Sequence, residues 1–124
     1  MSQKIFSVSC PSNLALTLLR VRWCDTFFSR LRGFTFRKTL ALDEGLVLVE
    51  SRETRVDSAI HMLFVWSDLA VFWLDADFRV VDKALAKSWR PFYAPKRPAQ
   101  YTLEIFPSRL EDFQIGDPVS FTHE

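Results

Sequence analysis

Residues Leu69-Ala70-Val71-Phe72-Trp73-Leu74 are apolar on both parities. Successive side chains of a strand point to opposite faces, so a run of this kind is stable where both faces of its sheet are covered. Residues 59–65 read the same way, and Trp66-Ser67-Asp68 between the two runs is short enough for a hairpin connection. Both segments are therefore expected as central strands. The other strands are built around this pair.

Leu14, Leu16 and Leu18 alternate with Ala15 and Thr17, the period of a half-buried strand over 14–19. The phase then slips, because Leu19, Val21 and Trp23 continue on the other parity, and a bulge or strong twist is expected there. Asp43-Glu44-Gly45 reads as a turn into a strand over 46–50, and the charged stretch 51–57 as an exposed loop. Asp75-Ala76-Asp77-Phe78 is a second tight turn, leading into 79–86. Pro91, Pro95 and Pro98 forbid regular pairing in the following loop. Strands resume over 101–106, with Tyr101, Leu103 and Ile105 on one face, and over 119–122 after the turn Ile115-Gly116-Asp117-Pro118.

Two helical pieces complete the pattern. Asp25 is placed to cap a helix whose Phe27, Phe28 and Leu31 share a face and whose end suits Gly33. Ser108-Arg109-Leu110-Glu111 has capping-box spacing, so a helical turn is expected after Pro107. The expected fold is mostly β (α+β): one domain over 1–124, an antiparallel β-sandwich or partial barrel of about seven strands with two short helices.

Composition agrees. The 124 residues are 48% hydrophobic and 25% charged, as in an ordinary folded domain rather than a disordered one. A chain of this size buries roughly two-thirds of its unfolded surface, enough for a core without metal or disulfide staples. Twelve Phe and four Trp favour strands and bulky cores. No apolar run reaches the roughly 18 residues of a spanning helix, and no small-residue cleavage site follows 14–19. Cys10 and Cys24 are expected as reduced thiols, which points to the cytoplasm.

Net charge is +1, so no global attraction to nucleic acid or membrane is expected. The charge is nonetheless blocked: residues 20–38 and 79–97 are basic, and residues 43–77 are acidic. Folding can merge the two basic blocks or interleave them with the acids.

Several spaced segments together resemble one family, the domain of unknown function 192. They are Gly33-Phe34-Thr35-Phe36-Arg37 with Leu40 after it, Gly45-Leu46-Val47-Leu48, and Ile60-His61-Met62-Leu63-Phe64-Val65-Trp66-Ser67-Asp68-Leu69-Ala70-Val71. Trp73-Leu74-Asp75, Leu103-Glu104 and Gly116-Asp117 follow in the family's order. The resemblance covers residues 14–121 and implies a compact β-rich fold. It implies no reaction, since the family's function is unassigned. The chain departs from the family pattern at Val65, where a methionine is usual, and at Ala70, where an acid is usual.

No catalytic constellation assembles from spacing alone. His61 is the one histidine outside the tail, a candidate for ligand contact or proton transfer, though the apolar stretch around it favours a core-edge structural role. No Cys-x-x-Cys or paired-histidine spacing supports a metal, and no glycine-rich loop supports nucleotide hydrolysis, so no cofactor is expected. Asp75 and Asp77 suit local turn bonds better than paired acid–base work. Ser58 lacks a nucleophile elbow, and Cys24 reads as an inert thiol rather than a nucleophile. Arg37 suits a carboxylate or phosphate, or a structural pairing with Asp43 or Glu44. Gly33 and Gly45 are assigned to backbone geometry.

The segment from Lys87 to Arg97 mixes Trp89, Phe92 and Tyr93 with Lys87, Arg90, Lys96 and Arg97 on a proline-stiffened loop. Such a loop can stack on a ligand or lid the core. The leading functional expectation is a binding or accessory module without catalysis. It would hold a small molecule or peptide beside His61, Arg37, Trp66, Trp89, Arg90 and Tyr93, with no membrane partner. One alternative is a hydrolase using His61 with a carboxylate such as Asp75 or Glu104. Another is anion or nucleic-acid binding through loop 87–97.

Overall fold

The computed structural model describes residues 4–35, 39–90 and 92–124, without the side chains of Phe27, Phe28 and Leu31. Seven strands form one mixed sheet: β1 (Ile5–Ser9), β2 (Arg20–Cys24), β3 (Glu44–Thr54), β4 (Leu69–Leu74), β5 (Val80–Ala86), β6 (Ala99–Ile105) and β7 (Ser120–His123). Their order across the sheet is β5-β4-β6-β3-β2-β1-β7. A six-residue helix α1 (Phe27–Arg32) lies between β2 and β3, and a 3-10 turn, Pro107–Arg109, follows β6. The fold is thus mostly β, but one sheet replaces the expected sandwich, and it does not close into a barrel. Among the described residues no helix is long and apolar enough to cross a membrane.

All neighbours pair antiparallel except β2 and β3, which run parallel. Parallel neighbours need a crossover of a dozen or more residues, and α1 with the segment after it supplies one. The expectation of a purely antiparallel sheet is corrected here. Gly45 sits where this parallel pair meets β6. A Cβ there would come 2.7 Å from Ile105 Cγ2 and 3.0 Å from Val21 Cγ1, so the close approach of three strands needs a residue without one.

β4 is buried along its whole length, and its two parities enter different cores. Ala70, Phe72 and Leu74 join Val21, Val47, Leu103, Ile105 and Phe113 on one face. Leu69, Val71 and Trp73 join Leu46, Ile60, Met62 and Val65 on the other. The first face is edged by an aromatic group in which Phe78 stacks on Tyr101 at 4.4 Å and Trp23 contacts Phe6, Tyr101 and Phe121. Much of the heavy aromatic content is spent there.

Two expected strands are absent. Residues 11–19 form turns and irregular chain, because the apolar alternation at 14–18 is largely spent on solvent: Leu14 and Leu18 are exposed. Residues 59–65 make one isolated bridge, Ile60 to Tyr93, and Phe64 takes a positive φ of 62° that ends any extended run. This segment is the lid of the second core. Ile60, Met62 and Val65 point into the core while His61, Leu63 and Phe64 face outward. Since no strand lies there, Trp66-Ser67-Asp68 is no hairpin turn. β3 also runs on to Thr54 through residues expected in a loop, and β1 has no counterpart among the expected strands.

Local signals at the ends were closer. The α1 cap is Thr26 rather than Asp25, with reciprocal bonds between Thr26 and Ser29, and Gly33 ends the helix with φ 46°. The Ser108 capping box does not form; the turn there has no side-chain cap. Its Arg109 is instead drawn inward, 3% exposed. Its guanidinium donates to the carbonyls of Thr17, Leu18 and Leu42 at 2.9–3.0 Å and to Asp112 Oδ2 at 2.6 Å. One side chain thereby ties together two irregular segments that no ladder holds. Replacing Arg109 by Ala leaves these acceptors unpaired and should lower stability by about 3 kcal/mol in urea unfolding. Lys at the same position should recover only part, because an ammonium cannot span the same fork of acceptors.

Candidate functional site

A cavity of about 470 Å³ opens on the second face of the sheet between α1, β3 and the 57–65 lid. Phe34, Leu48, Ile60, Met62 and Val65 supply its apolar wall, and Glu104 is among its lining residues. Two elements hold the lid in place. The carbonyl of Ser58 accepts from Trp73 Nε1 at 2.9 Å and from Thr102 Oγ1 at 3.4 Å. Further along, Met62 N donates to Arg90 O, Trp89 N to Met62 O, and Tyr93 N to Ile60 O, each at 2.8 Å.

Glu104 sits on β6 between Leu46 of β3 and Val71 of β4, where the pleat calls for an aliphatic side chain. It is 5% exposed. Among the described residues no hydrogen bond or ion pair reaches its carboxyl, whose oxygens border the open cleft rather than being sealed in the core. Burial pushes the carboxyl up to about 8 from its ordinary 4.5. At neutral pH this group is largely a protonated acid. Around it, Arg30 lies with Nε 3.6 Å from Glu50 Oε1 and donates to the carbonyls of Asp25 and Val49. Burial raises the Glu50 carboxyl as well, against the pull of Arg30. Asp57 and His61 stand exposed on the rim. Among the described residues no group of three or more His, Cys, Asp or Glu side chains is placed to hold a metal ion.

Of the residues singled out from the sequence, His61, Glu104, Gly33 and Val65 line this cleft. Arg37 lies outside the described residues. Trp66 and Trp89, 50% and 41% exposed, pack edge-to-face at 5.1 Å beside Phe64 and form a separate outer cluster. Arg90 is exposed, with its carbonyl in the lid's bonding, and the Tyr93 hydroxyl accepts from Lys87 N. Val65 closes the cleft wall, whereas Ala70 belongs to the opposite core. Asp75 is committed to its turn, its Oδ1 accepting from Asp77 N and Arg79 N. Cys24 is raised to about 11, chiefly by burial, so it is an inert thiol.

Arg30, Glu50 and Asp57 carried no signal in the sequence beyond charge. Glu104 did carry one: it interrupts a strand whose every other inward position is apolar or Thr. On a half-exposed sheet that position would face water. The lid makes it interior.

Comparison with known proteins agrees with this architecture. The chain matches the DUF192 family, described as "Uncharacterized ACR", over residues 10–121, and it belongs to that family. It is similar to a UPF0127 protein of Thermococcus kodakarensis, 42% identical over 105 residues. That match takes in 83% of this chain but only 65% of the relative's length. A UPF0127 protein of Thermococcus sibiricus is 38% identical over 85% of this chain and 68% of its own. Two crystal structures share the fold. A candidate transcription regulator from Sinorhizobium meliloti 1021 superposes with a TM-score of 0.81 at 15% identity, covering 97% of this chain and 94% of that one. A protein of unknown function from Novosphingobium aromaticivorans superposes with a TM-score of 0.77 at 20% identity, covering 94% and 83%. Four of the spaced segments that carry the family resemblance meet at the cleft, through Gly33, Leu48, the stretch 60–65 and Glu104.

The protonated Glu104 makes stability depend on pH in a definite direction. Between pH 4.5 and about 8 the folded chain keeps a proton that the unfolded chain releases. The group's contribution therefore falls as pH rises, by about 1.4 kcal/mol per pH unit across that window. Glu104→Gln removes the effect. Its urea midpoint should match the parent near pH 4.5 and exceed it increasingly up to pH 8.

Proposed function

We propose that this domain is a small-molecule-binding module whose ligand enters the cleft between α1, β3 and the 57–65 lid. One observation carries the reading: Glu104 is a buried carboxyl beside open space, with no partner among the described residues. Burying such a group costs free energy unless something satisfies it. A cavity with apolar walls and a few polar groups is the usual form of a ligand site. The free, buried thiols of Cys10 and Cys24 are consistent with a reducing compartment such as the cytoplasm.

A second reading, an enzyme, is favoured by one specific observation. His61 and a protonated Glu104 line the same cavity, and two titratable groups with different environments can divide acid and base roles. Hydrolysis of a panel of simple esters and amides that disappears in His61→Ala and Glu104→Gln alike would favour the enzyme.

For the binding reading, a fragment screen followed by amide chemical shifts should move Gly33, Leu48, Met62 and Glu104 together. Fragments that move only the Trp66–Trp89 cluster would overturn it, and so would a screen without hits.

A further inference from the structure

Gly33 ends α1 without a side chain, and the space this leaves has an unusual border. A Cβ built there would lie 3.8 Å from Glu104 Oε1 and 3.9 Å from the carbonyl oxygen of Arg30. The carbonyl oxygen is an acceptor, and so is the Glu104 oxygen once its carboxyl is ionised. The wider cleft has the same bias: Glu50 and Asp57 line it too, and the guanidinium of Arg30 is already turned to Glu50 and to the carbonyls of Asp25 and Val49. A ligand that brings donors, and above all positive charge, is matched to this border once Glu104 ionises.

Resting on the reading of this cleft as a ligand site, we propose that its ligand is an organic cation, an ammonium or guanidinium on a short apolar body. The cationic head sits in the space beside Gly33, against Glu104 Oε1 and the Arg30 carbonyl. The apolar body lies along Phe34, Leu48, Ile60, Met62 and Val65. A volume of about 470 Å³ admits such a molecule. A guanidinium suits the place because its N–H groups fan out in one plane and reach two acceptors at once. A carboxylate or phosphate ligand would meet the carboxyls of Glu50, Asp57 and Glu104 in the same cleft.

Binding is linked to protons. A cation beside Glu104 favours the ionised carboxyl, so occupancy expels the proton that burial retains. Among the described residues, the other titratable or charged groups facing this carboxyl are Arg30 from α1, Cys24 from β2, Glu50 from β3, and Asp57 and His61 from the lid.

Three probes of one shape separate the possibilities: n-butylguanidinium, neutral n-butylurea and anionic pentanoate, each titrated into the 15N-labelled chain. n-Butylguanidinium should shift the amides of Gly33, Met62 and Glu104, and its affinity should rise by up to about tenfold per pH unit between pH 6 and 8. Glu104→Gln, whose fold is checked by its urea midpoint, should lose both the affinity and the pH dependence. If n-butylurea or pentanoate binds the cleft as well as the cation or better, the cation assignment fails and the ligand cleft stands. Unchanged affinity in Glu104→Gln has the same meaning. Silence of all three probes removes the assignment and the cleft reading together.

Discussion

The indole N–H of Trp73 donating to the carbonyl of Ser58 is the bond on which the second face of the sheet depends. Trp73 belongs to a strand with both faces buried, and Ser58 begins the irregular segment that covers one of them. Besides that anchor the lid is held by Thr102 Oγ1 at the same carbonyl and by its bonds to Trp89, Arg90 and Tyr93. With it, Ile60, Met62 and Val65 are pressed onto Leu46, Val71 and the indole itself. The same cover turns Glu104 from a solvent-facing strand residue into an interior one. Fold and candidate site thus share one cause.

Two buried ionisable residues show how differently a sheet protein can spend such groups. Arg109 has its donors aimed at three carbonyls and a carboxylate, and it holds irregular chain in place of a ladder. Glu104 has burial without partners and keeps its proton instead. A satisfied buried charge is architecture. A carboxyl that keeps its proton while bordering open space beside Gly33 can take a partner from outside the chain.

Much of the sheet was legible in the sequence, and the errors have identifiable physics. The run Leu69–Leu74 is a strand at the expected bounds because apolar side chains on both parities had to be covered twice. The Asp75–Phe78 turn and the strands after it follow from local chemistry, with Asp75 binding the backbone ahead of it. Residues 59–65 look identical by parity yet form the cover rather than the sheet. Periodicity reports burial, and burial by a lid and burial by pairing leave the same trace. The parallel β2–β3 contact was invisible because it depends on where a crossover returns, which side-chain pattern does not encode. At the site, His61 could be named from the sequence. Glu104 could be noticed in its Leu-Glu segment, but its burial depended on a cover that sequence reasoning had assigned to a strand.

The Asp117 region has a consequence for the edges of the sheet. Open sheets end in rows of unpaired N–H and C=O groups that can template another chain's strand. Here the chain entering β7 turns back along the start of β5: Val80 N donates to Asp117 O, Gly116 N to Val80 O, and Val119 N to Phe78 O. Farther along β5, Asp82 spends its carboxylate on the backbone N–H groups of Lys83 and Lys96. At the other margin β7 is four residues long, and just beyond it Glu124 pairs with Arg20. Neither margin offers a long, flat, unoccupied row. The open ladder is in this way bridged at one end between its two outer strands, which shortens the edge another chain's strand could join.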